Sequence, residues 1–514
     1  MNFIKKIWPS PIHCVLIPVF FLLHNYVDFY NIVDFSKLTI SIISWMLLPF
    51  CLVAAYRYVF KDLSKASLIT STLLLLFFFA GPLIKETRNV PYINYLFKYS
   101  VLIPVLLFCI ILLHRRLYKS KKKYLLTHRF ISITTLLLIG YELFAFFTIV
   151  APNRATYNKL QPAGTDLAQI PTTNDPNRPD IYFLIFDEMP SVNSVNTLFQ
   201  YNNAHVTDSL TKLGFVVSPK AQSAYPSTPL SIASTLSLTD FGYPADTVFS
   251  FKDFAKADVL VQNNQLFPFL KKSGYNCVNA SIFNVNNLSS PIRTYINVPQ
   301  YVTWGVQENM IKNQTFFNRM HEDIGWNFTP LFLKNLVRNL NKDLRNEVTY
   351  TNKLRSLIDS CLHSPHQEPL FFYGHFFLPH MPYKFDSAGT ALQWTVPDYK
   401  AGYKKKENYV AQVKYAGKLI YELSKKIVTE SKRPAIIIIQ GDHGHRDYDK
   451  KKNSFSHKVS ILSAVYFPDK DYSSVDDAFY APNTFRIVLN KYFSTHLPLL
   501  KNPNNFEKQP VSGK

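Results

Sequence analysis

Long apolar stretches dominate the first 150 residues of the chain. Five of them follow one another, and each is close to the ~20 residues that the hydrocarbon core of a bilayer requires of a helix. They span residues 11–27, 38–56, 66–84, 99–113 and 130–150. The first is not expected to be a cleaved signal peptide, because no small-residue cleavage site follows it and four more apolar stretches do. The pattern predicts a membrane domain of five spanning helices in residues 1–150.

The hydrophobic pattern changes after residue 180. Apolar runs of strand length occur at 181–186, 370–373, 435–439 and 459–467, and segments with helical spacing, such as 408–428, lie between them. Runs that are apolar at every position are typical of strands covered on both faces. The pattern predicts an α/β domain over residues 180–498, with a mostly parallel central sheet and helices on both faces. Residues 499–514 are expected to be a polar tail.

A proline-rich segment separates these two regions. Residues 151–179 carry five prolines among Asn, Thr and Asp, which disfavours a stable helix or strand. We interpret the segment as a juxtamembrane linker.

Basic residues set the expected orientation in the membrane. The chain has 56 Lys and Arg against 35 Asp and Glu, for a formal charge of +21. Lys and Arg are retained in cytoplasmic loops, and the loop before the fifth stretch is the most basic. With an odd number of spans, the N-terminus is predicted to be cytoplasmic and the α/β domain periplasmic or extracellular, on the far side of the plasma (inner) membrane. The basic residues of that loop are Arg115, Arg116, Lys119, Lys121, Lys122, Lys123 and Arg129.

Few charges lie within the apolar stretches, which disfavours a transporter. Glu142 is the exception, and an acid at that depth is either a functional group or is satisfied by a neighbouring polar side chain. The five cysteines rule out a disulfide scaffold. Only Cys277 and Cys361 could pair, and the sequence does not decide whether they do.

Polar residues gather where the predicted strands end. Asp187 follows the first strand directly, His375 and His380 follow the second, and Asp442 and His443 follow the third. Ligands of open α/β sheets bind beyond the carboxyl ends of the strands, and carboxylates and neutral imidazoles are ligands that Zn²⁺ and Mn²⁺ accept. Each group alone is better explained by a turn, a helix start or simple packing. Together they predict a metal site at one edge of the sheet.

A helix start in the segment Tyr-Pro-Ser-Thr-Pro-Leu-Ser supplies a hydroxyl. Thr228 is predicted as the N-cap and Pro229 as the first helical residue. An ordinary capped helix accounts for this segment by itself. The same geometry also places a hydroxyl beside free N–H groups that favour a phosphate or sulfate. A neighbouring metal would lower the pKa of that hydroxyl and create a nucleophile.

These motifs together resemble the alkaline phosphatase and sulfatase superfamily. The order of membrane spans and α/β domain is similar to that of its membrane-anchored branch, the lipoteichoic acid synthases and lipid A phosphoethanolamine transferases. The resemblance implies an alkaline-phosphatase-like fold and a threonine nucleophile, with Ser227 as the second choice. The implied metal ligands are Asp187, Thr228, Asp442 and His443; the implied catalytic residues are Thr228, His380 and His457; the implied substrate contacts are Ser231 and His375, and His375 could replace His380.

The resemblance also implies the chemistry. We expect a divalent metal, Zn or Mn first with Mg or Ca as alternatives, and transfer of a phospho group from a phospholipid headgroup or an envelope polymer through a phosphothreonine. The expected partners are the membrane and a lipid or glycan substrate, with no nucleic acid. Sulfatases carry Cys/Ser-x-Pro-x-Arg at the nucleophile, which this chain lacks, so formylglycine chemistry is disfavoured. A sulfatase-like or phosphatase-like hydrolase and an inactive envelope scaffold remain alternatives.

Overall fold

The computed structural model of the protein describes residues 12–30, 33, 35–87, 90, 92–150, 167–245, 247, 249, 251–292, 311–324, 332–394, 405–446 and 454–503. These residues form two compact units. One lies within Met1–Lys159 and Trp304–Pro330, and the other within Leu160–Thr303 and Leu331–Lys514. Residues 311–324 therefore group with the first unit, whereas the sequence pattern places them in the α/β domain. Most of the predicted tail and the first part of the predicted linker lie outside the described residues.

The first unit contains a helix at each of the five predicted apolar stretches. By length and composition four of them could cross a membrane, whereas the first has 16 residues and is shorter. The prediction of an α-helical membrane domain is confirmed, and the number of spans and their orientation stay predictions. The helices are α1 (His13–Asp28), α2 (Thr39–Phe60), α3 (Leu63–Thr87), α4 (Ile93–Leu96), α5 (Tyr99–Lys119) and α6 (Leu125–Ala145), the last ending in a π-helical turn, Phe146–Val150.

Polar side chains join α1 to its neighbours. His24 Nδ1 lies 2.8 Å from Glu142 Oε1 on α6, so the acid has a partner. Nearer the other end of α1, His13 Nε2 lies 2.7 Å from His128 Nδ1, also on α6. Buried polar pairs hold helices together where the surroundings are apolar. The pairing of Glu142 therefore agrees with the second of the two interpretations given above.

The second unit is built around a six-stranded sheet. The strand order is β2-β6-β5-β1-β4-β3, in which β5, β1, β4 and β3 run parallel and β6 is antiparallel to β5 and β2. The elements after the membrane helices are β1 (Asp180–Phe186), α7 (Val192–Phe199), α8 (Ala204–Lys212), β2 (Val216–Val217), α9 (Thr228–Leu236), α10 (Phe251–Gln262), α11 (Leu266–Lys272), β3 (Asn276–Ala280), α12 (Phe316–Ile324, in the first unit), α13 (Phe332–His363), β4 (Leu370–Phe376), α14 (Lys406–Glu430), β5 (Ala435–Gly441), α15 (Phe455–Val459), β6 (Ser463–Tyr466) and α16 (Thr484–Tyr492).

Helices cover both faces of this sheet, as predicted. All seven residues of β1 are buried. Successive side chains of a strand point to opposite faces. Phe183 stacks edge-on against Phe485 of α16, with ring centroids 5.0 Å apart. Leu184 lies on the opposite face beside Leu354 of α13. The prediction of a mostly parallel, two-sided α/β sheet is confirmed.

One predicted strand is partly wrong. The apolar run 459–467 was expected to be extended throughout, but Val459 ends helix α15 and the strand begins at Ser463. Continuous apolar character does not distinguish a buried helix turn from a buried strand.

The sheet register sets the location of the candidate site. Phe186 at the end of β1 pairs with Gly441 of β5 on one side and with Phe376 of β4 on the other. The three central strands therefore end at the same level. Asp187 and Asp442 each follow immediately, so their side chains emerge next to each other from neighbouring strands.

Candidate active site

Two buried carboxylates and an imidazole converge at the ends of β1 and β5. The donor atoms of Asp187, Asp442 and His443 all lie within 4.8 Å of one another. Asp442 Oδ1 accepts the backbone N–H groups of Glu188 and His443, at 2.9 and 2.8 Å. Asp442 Oδ2 and both carboxylate oxygens of Asp187 are buried without a hydrogen bond in the described structure. Three carboxylate oxygens are thus left for a further partner.

The orientation of His443 leaves a lone pair facing these oxygens. Its Nδ1 lies 2.7 Å from the carbonyl oxygen of Gly444. A carbonyl can only accept a hydrogen bond, so Nδ1 carries the proton and Nε2 is unprotonated in the neutral ring. Nε2 lies 3.7 Å from Asp187 Oδ1 and 3.6 Å from Asp442 Oδ2. Burial lowers the pKa of His443, which favours this neutral form.

The electrostatics of the pair favour a cation or a proton between the two carboxylates. Burial, reinforced by the neighbouring Asp442, raises the pKa of Asp187. Burial also acts to raise the pKa of Asp442, but His443, His375 and the N–H of Glu188 hold it below its ordinary value. Two desolvated carboxylates this close disfavour each other's charged form. Zn²⁺ and Mn²⁺ accept carboxylate oxygens and neutral imidazole nitrogens as ligands and do not require a thiol. The residues therefore fit a divalent cation.

Thr228 lies beside this group at the start of α9. Its Oγ1 is 3.2 Å from His443 Nε2, and the side chain is buried. The helix start differs by one residue from the prediction. Ser227, with extended backbone dihedrals, is the N-cap, and Thr228 is already the first helical residue. Because of this shift, the threonine hydroxyl faces the cluster of Asp187, Asp442 and His443 and does not cap its own helix.

The helix end that carries Thr228 is fixed to the loop that carries Asp442. The hydroxyl of Ser231, one turn into α9, donates to the backbone carbonyl of Asp442. The predicted substrate contact is therefore used within the protein, where it fixes the distance between the start of α9 and the backbone of Asp442. Ser227 Oγ is buried and has no hydrogen-bond partner in the described structure.

The structure brings His380 to the site together with a residue that the sequence analysis did not identify. The N–H of His380 donates to the carbonyl of Asp187 at 3.1 Å. Its Nδ1 faces the carbonyl of Met381, so its Nε2 is the acceptor and lies 3.1 Å from Arg446 Nη2. Arg446 is three residues beyond His443, and this contact places a guanidinium beside an imidazole, with both close enough to Asp187 to act against the rise in its pKa.

The loop of His380 is held by one buried amide. Gln412 of α14 is fully buried, and its Oε1 accepts the N–H groups of Lys384 and Phe385, at 2.7 and 3.3 Å. Its Nε2 donates to the carbonyls of Pro379 and His380, at 2.9 and 3.1 Å. Every hydrogen-bonding atom of this side chain is used, and the four bonds lie on both sides of His380.

His375 lies behind the carboxylates. It is within strand β4, is fully buried, and its Nε2 is 3.4 Å from Asp187 Oδ2. Burial lowers the pKa of His375 to about 4. This placement favours a role toward Asp187 over the predicted contact with substrate, because β4 extends three residues further than the apolar run 370–373 indicates.

His457 is placed at one side of the site. Its Nδ1 lies 3.0 Å from the hydroxyl of Ser194 on α7. The N–H of Gly444 donates to the carbonyl of Lys458 at 2.8 Å, which fixes this turn beside the ligand loop. Among the described residues, no hydrogen bond joins the His457 ring to Asp187, Asp442 or His443.

Glu188 is the second residue that the sequence analysis left without a role. It takes a left-handed backbone conformation, with φ at 63°. Its Oε1 lies 3.0 Å from His445 Nδ1 and accepts the N–H of Arg446 at 3.1 Å. Burial acts to raise the pKa of Glu188, but His445, His380 and Arg446 together outweigh that effect and lower it. The carboxylate therefore anchors the 445–446 backbone that carries the guanidinium, and only its position beside Asp187 could have indicated this.

Several solved structures are similar to this chain. Solved structures with similar folds include the periplasmic domains of the phosphoethanolamine transferase EptC from Campylobacter jejuni (12% identity, 64% of this chain and 95% of that chain covered, TM-score 0.36) and from Escherichia coli (13%, 63% and 86%, 0.37). The membrane protein lipooligosaccharide phosphoethanolamine transferase A from Neisseria meningitidis is 13% identical over 93% of this chain and 95% of its own, with a TM-score of 0.35.

A search of curated proteins finds none that matches the chain. The sulfatase family model matches residues 201–482, which include Thr228, His380, Asp442 and His443. Because this segment is more than half of the chain, the protein belongs to the sulfatase family, and the superfamily resemblance inferred from its motifs is confirmed.

Proposed function

We propose that the protein is a metal-dependent transferase that moves a phospho group from a phospholipid headgroup or envelope polymer to an alcohol through a phosphothreonine. The observation that carries the proposal is the position of the Thr228 hydroxyl. It lies 3.2 Å from the free nitrogen of His443, within a set of carboxylate oxygens that lack partners. A threonine at this position is suited to hold a phospho group covalently, and no residue supplies formylglycine chemistry.

In the proposed first half-reaction, one bond to phosphorus forms and another breaks. Thr228 Oγ1 attacks the phosphodiester, the bond to the donor's alcohol oxygen breaks, and that alcohol leaves with the proton lost by the threonine. A divalent cation bound by Asp187, Asp442, His443 and the Thr228 oxygen would lower the pKa of that hydroxyl and neutralise charge on the phosphate. In the first turn of α9, Pro229 has no N–H and that of Ser231 is bonded to the carbonyl of Ser227, so the N–H groups of Thr228 and Leu230 are the ones proposed to contact the phosphate.

Other residues act on the phosphoryl oxygens and on the second half-reaction. Arg446, oriented by His380 and by the Glu188 contact to its backbone, supplies a fixed positive charge where oxygens gain negative charge. An acceptor alcohol, or water in a hydrolase, then attacks the phosphothreonine and restores the Thr228 hydroxyl. Transfer and hydrolysis therefore share every residue and differ only in what enters second.

The membrane unit is proposed to keep the enzyme at its substrate. A lipid donor is confined to the bilayer surface, so an anchored catalytic domain meets it at high local concentration. The basic loop between α5 and α6 supports a cytoplasmic location for that loop and for the N-terminus. We propose that the catalytic domain lies on the periplasmic or extracellular side.

The test uses the full-length protein in phospholipid vesicles with a headgroup-labelled phospholipid and added Mn²⁺ or Zn²⁺. We expect release of diacylglycerol and a mass increase on the peptide containing Thr228. Thr228→Ala should abolish both, whereas Thr228→Ser, which keeps a hydroxyl, should retain measurable turnover. Unchanged turnover of Thr228→Ala would eliminate the nucleophile assignment. Labelled product on an added alcohol rather than on water would identify a transferase.

A further inference from the structure

A large apolar cavity lies within the membrane unit, away from the carboxylates. Helices α2, α3, α5 and α12 enclose it, and its volume is about 820 Å³. Ligand sites for small molecules have volumes of about 300–1,000 Å³. The cavity is therefore large enough for a long, flexible molecule.

The chemistry of the lining restricts what can fill it. Almost all lining side chains are leucine, isoleucine, phenylalanine and methionine. The hydroxyl of Ser44, the one alcohol of the lining, already donates to the carbonyl of Ile40 at 2.8 Å. An ordered water needs two to four polar partners, and this lining offers too few. A saturated hydrocarbon chain matches the leucine, isoleucine and phenylalanine side chains of this lining.

The position of the cavity points to the bilayer as the source. Leu107 and Phe317 both line it, and they are 54% and 60% exposed. The outer faces of α2 and α5 carry further exposed apolar side chains, such as Leu47 and Phe108, which face lipid in a membrane. The cavity is therefore continuous with the lipid-facing surface of the bundle.

Helix α12 covers one end of the cavity and is packed closely against α3. A Cβ added at Gly81 would lie 2.3 Å from the carbonyl oxygen of Gln314, so only glycine permits this backbone approach. Phe316 contacts the ring of Tyr99 and Phe317 contacts that of Phe77. Two basic residues are neighbours of these contacts in sequence: exposed Lys98 directly precedes Tyr99, and Arg319 follows Phe316 by three residues on α12. Positive charge beside an apolar cavity is complementary to a lipid phosphate.

We propose that this cavity binds an acyl chain of a phospholipid from the surrounding bilayer, with the lipid phosphate at the Lys98 and Arg319 end. The lipid then fills a space that side chains leave open and contacts α12, whose segment, Trp304–Pro330, lies in sequence between two parts of the second unit. The proposal does not depend on the phospho-transfer reaction, because no residue of the active site takes part in it.

Trp45 supplies the measurement. It lines the cavity, its ring packs against Phe21 and Phe78, and it is 6% exposed, so the cavity is the route by which a lipid chain reaches it. The full-length protein is reconstituted in vesicles of phosphatidylcholine whose acyl chains carry bromine near their midpoint, a contact quencher of tryptophan. The emission of Trp45 is obtained as the difference between the protein and Trp45→Phe. We expect most of that emission to be lost in brominated vesicles.

A pair of variants tests the site. Leu73→Phe with Leu106→Phe narrows the cavity, and should reduce the share of Trp45 emission lost in fully brominated vesicles about ten-fold, because overpacking excludes the acyl chain. Leu112→Phe with Leu138→Phe makes the same change on the outer surface and should have no effect. Unquenched Trp45 in the unaltered protein overturns the proposal whatever the variants do. The proposal is also overturned if a second copy of the chain closes the cavity, which would be seen as unquenched Trp45 in a cross-linked dimer.

Discussion

The two oxygens of Asp442 have different partners, and the difference explains why this residue needs a charge. Oδ1 accepts two backbone N–H groups, whereas Oδ2 has no hydrogen bond in the described structure. An amide at this position could still accept the two backbone N–H groups, but it could not offer a negatively charged oxygen in place of Oδ2. The unsatisfied oxygen is the one directed toward Asp187 and His443.

We therefore expect Asp442→Asn to fold and to lose its metal. The amide oxygen can still accept the two N–H groups, but one negative ligand is gone, so bound metal and turnover should fall by about 100-fold or more, in line with the loss of a metal-site residue. Metal content by mass spectrometry and aryl phosphate turnover measure this. Asp471→Asn, at an exposed carboxylate, is the matched control. A variant with full metal content and full turnover contradicts the assignment.

Lys384 and Glu347 form a buried ion pair close to the site. Their charged atoms are 2.7 Å apart and both side chains are almost fully buried. Burial lowers the pKa of Lys384, and Glu347 acts against that shift. We expect Lys384→Met to lower the free energy of unfolding by about 3 kcal/mol, because it leaves the Glu347 carboxylate buried without its lysine. Lys384→Met with Glu347→Leu should recover most of the loss in thermal unfolding. A double variant no more stable than the single one would contradict this.

At the scale of elements, the last residue of β5, Gly441, is packed closely against the backbone of a neighbouring segment. A Cβ added at Gly441 would lie 2.2 Å from the carbonyl oxygen of Met189. We expect Gly441→Ala to displace Asp442, to cost about 2 kcal/mol by overpacking, and to reduce turnover. Gly140→Ala is the control, because a Cβ there meets nothing within 4 Å. Equal thermal stability of the two variants would show that β5 can shift freely.

The loop between β4 and α14 depends on a side chain of that helix. Gln412→Leu removes four hydrogen bonds around His380 and leaves buried backbone groups unsatisfied, each at about 1–3 kcal/mol. We expect turnover to fall and KM for a phosphodiester to rise, since His380 and Arg446 lose their position together. Gln412→Glu keeps an acceptor and should retain more activity. Lys418→Ala, at an exposed position on α14, should change neither constant, and a similar effect there would remove the specific role of Gln412.

At the scale of the whole molecule, stability should depend on bound metal. A ligand at 100 times its dissociation constant stabilises a protein by about 2.7 kcal/mol, and for a domain of this size each kcal/mol raises the Tm by about 2 °C. We expect a chelator to lower the Tm of the catalytic unit by several degrees and Zn²⁺ or Mn²⁺ to restore it. Asp187→Asn should remove most of this response. A Tm unaffected by the chelator, in protein shown to have contained metal, would contradict the proposed site.

Most of the architecture and the central residues could be predicted from the sequence. Apolar length identifies the membrane helices, and runs apolar at every position identify β1, β4 and β5. Residues that follow such strands directly, such as Asp187 and Asp442, are brought together by any parallel sheet in which the strands are neighbours. Thr228 could be placed to within one residue because Pro229 marks a helix start.

Other features depended on contacts between distant segments. Gln412 lies within an ordinary amphipathic helix, and no local pattern distinguishes it from its neighbours. His375 and His380 are close in sequence, yet one is buried behind Asp187 and the other faces Arg446, because β4 continues past the apolar run. The location of α12 in the membrane unit depends on the backbone approach at Gly81, which no periodicity records.

The sequence by itself determined which segments are buried in lipid, which form the sheet, and which chemical groups are delivered to the sheet edge. These properties follow from local hydrophobic period and from side-chain type. The tertiary structure alone decided which lone pairs stay unfilled, which imidazole nitrogen faces them, and which cavity remains between the membrane helices. Those properties arise from distances of a few ångströms between residues hundreds of positions apart, and a linear pattern contains no such distances.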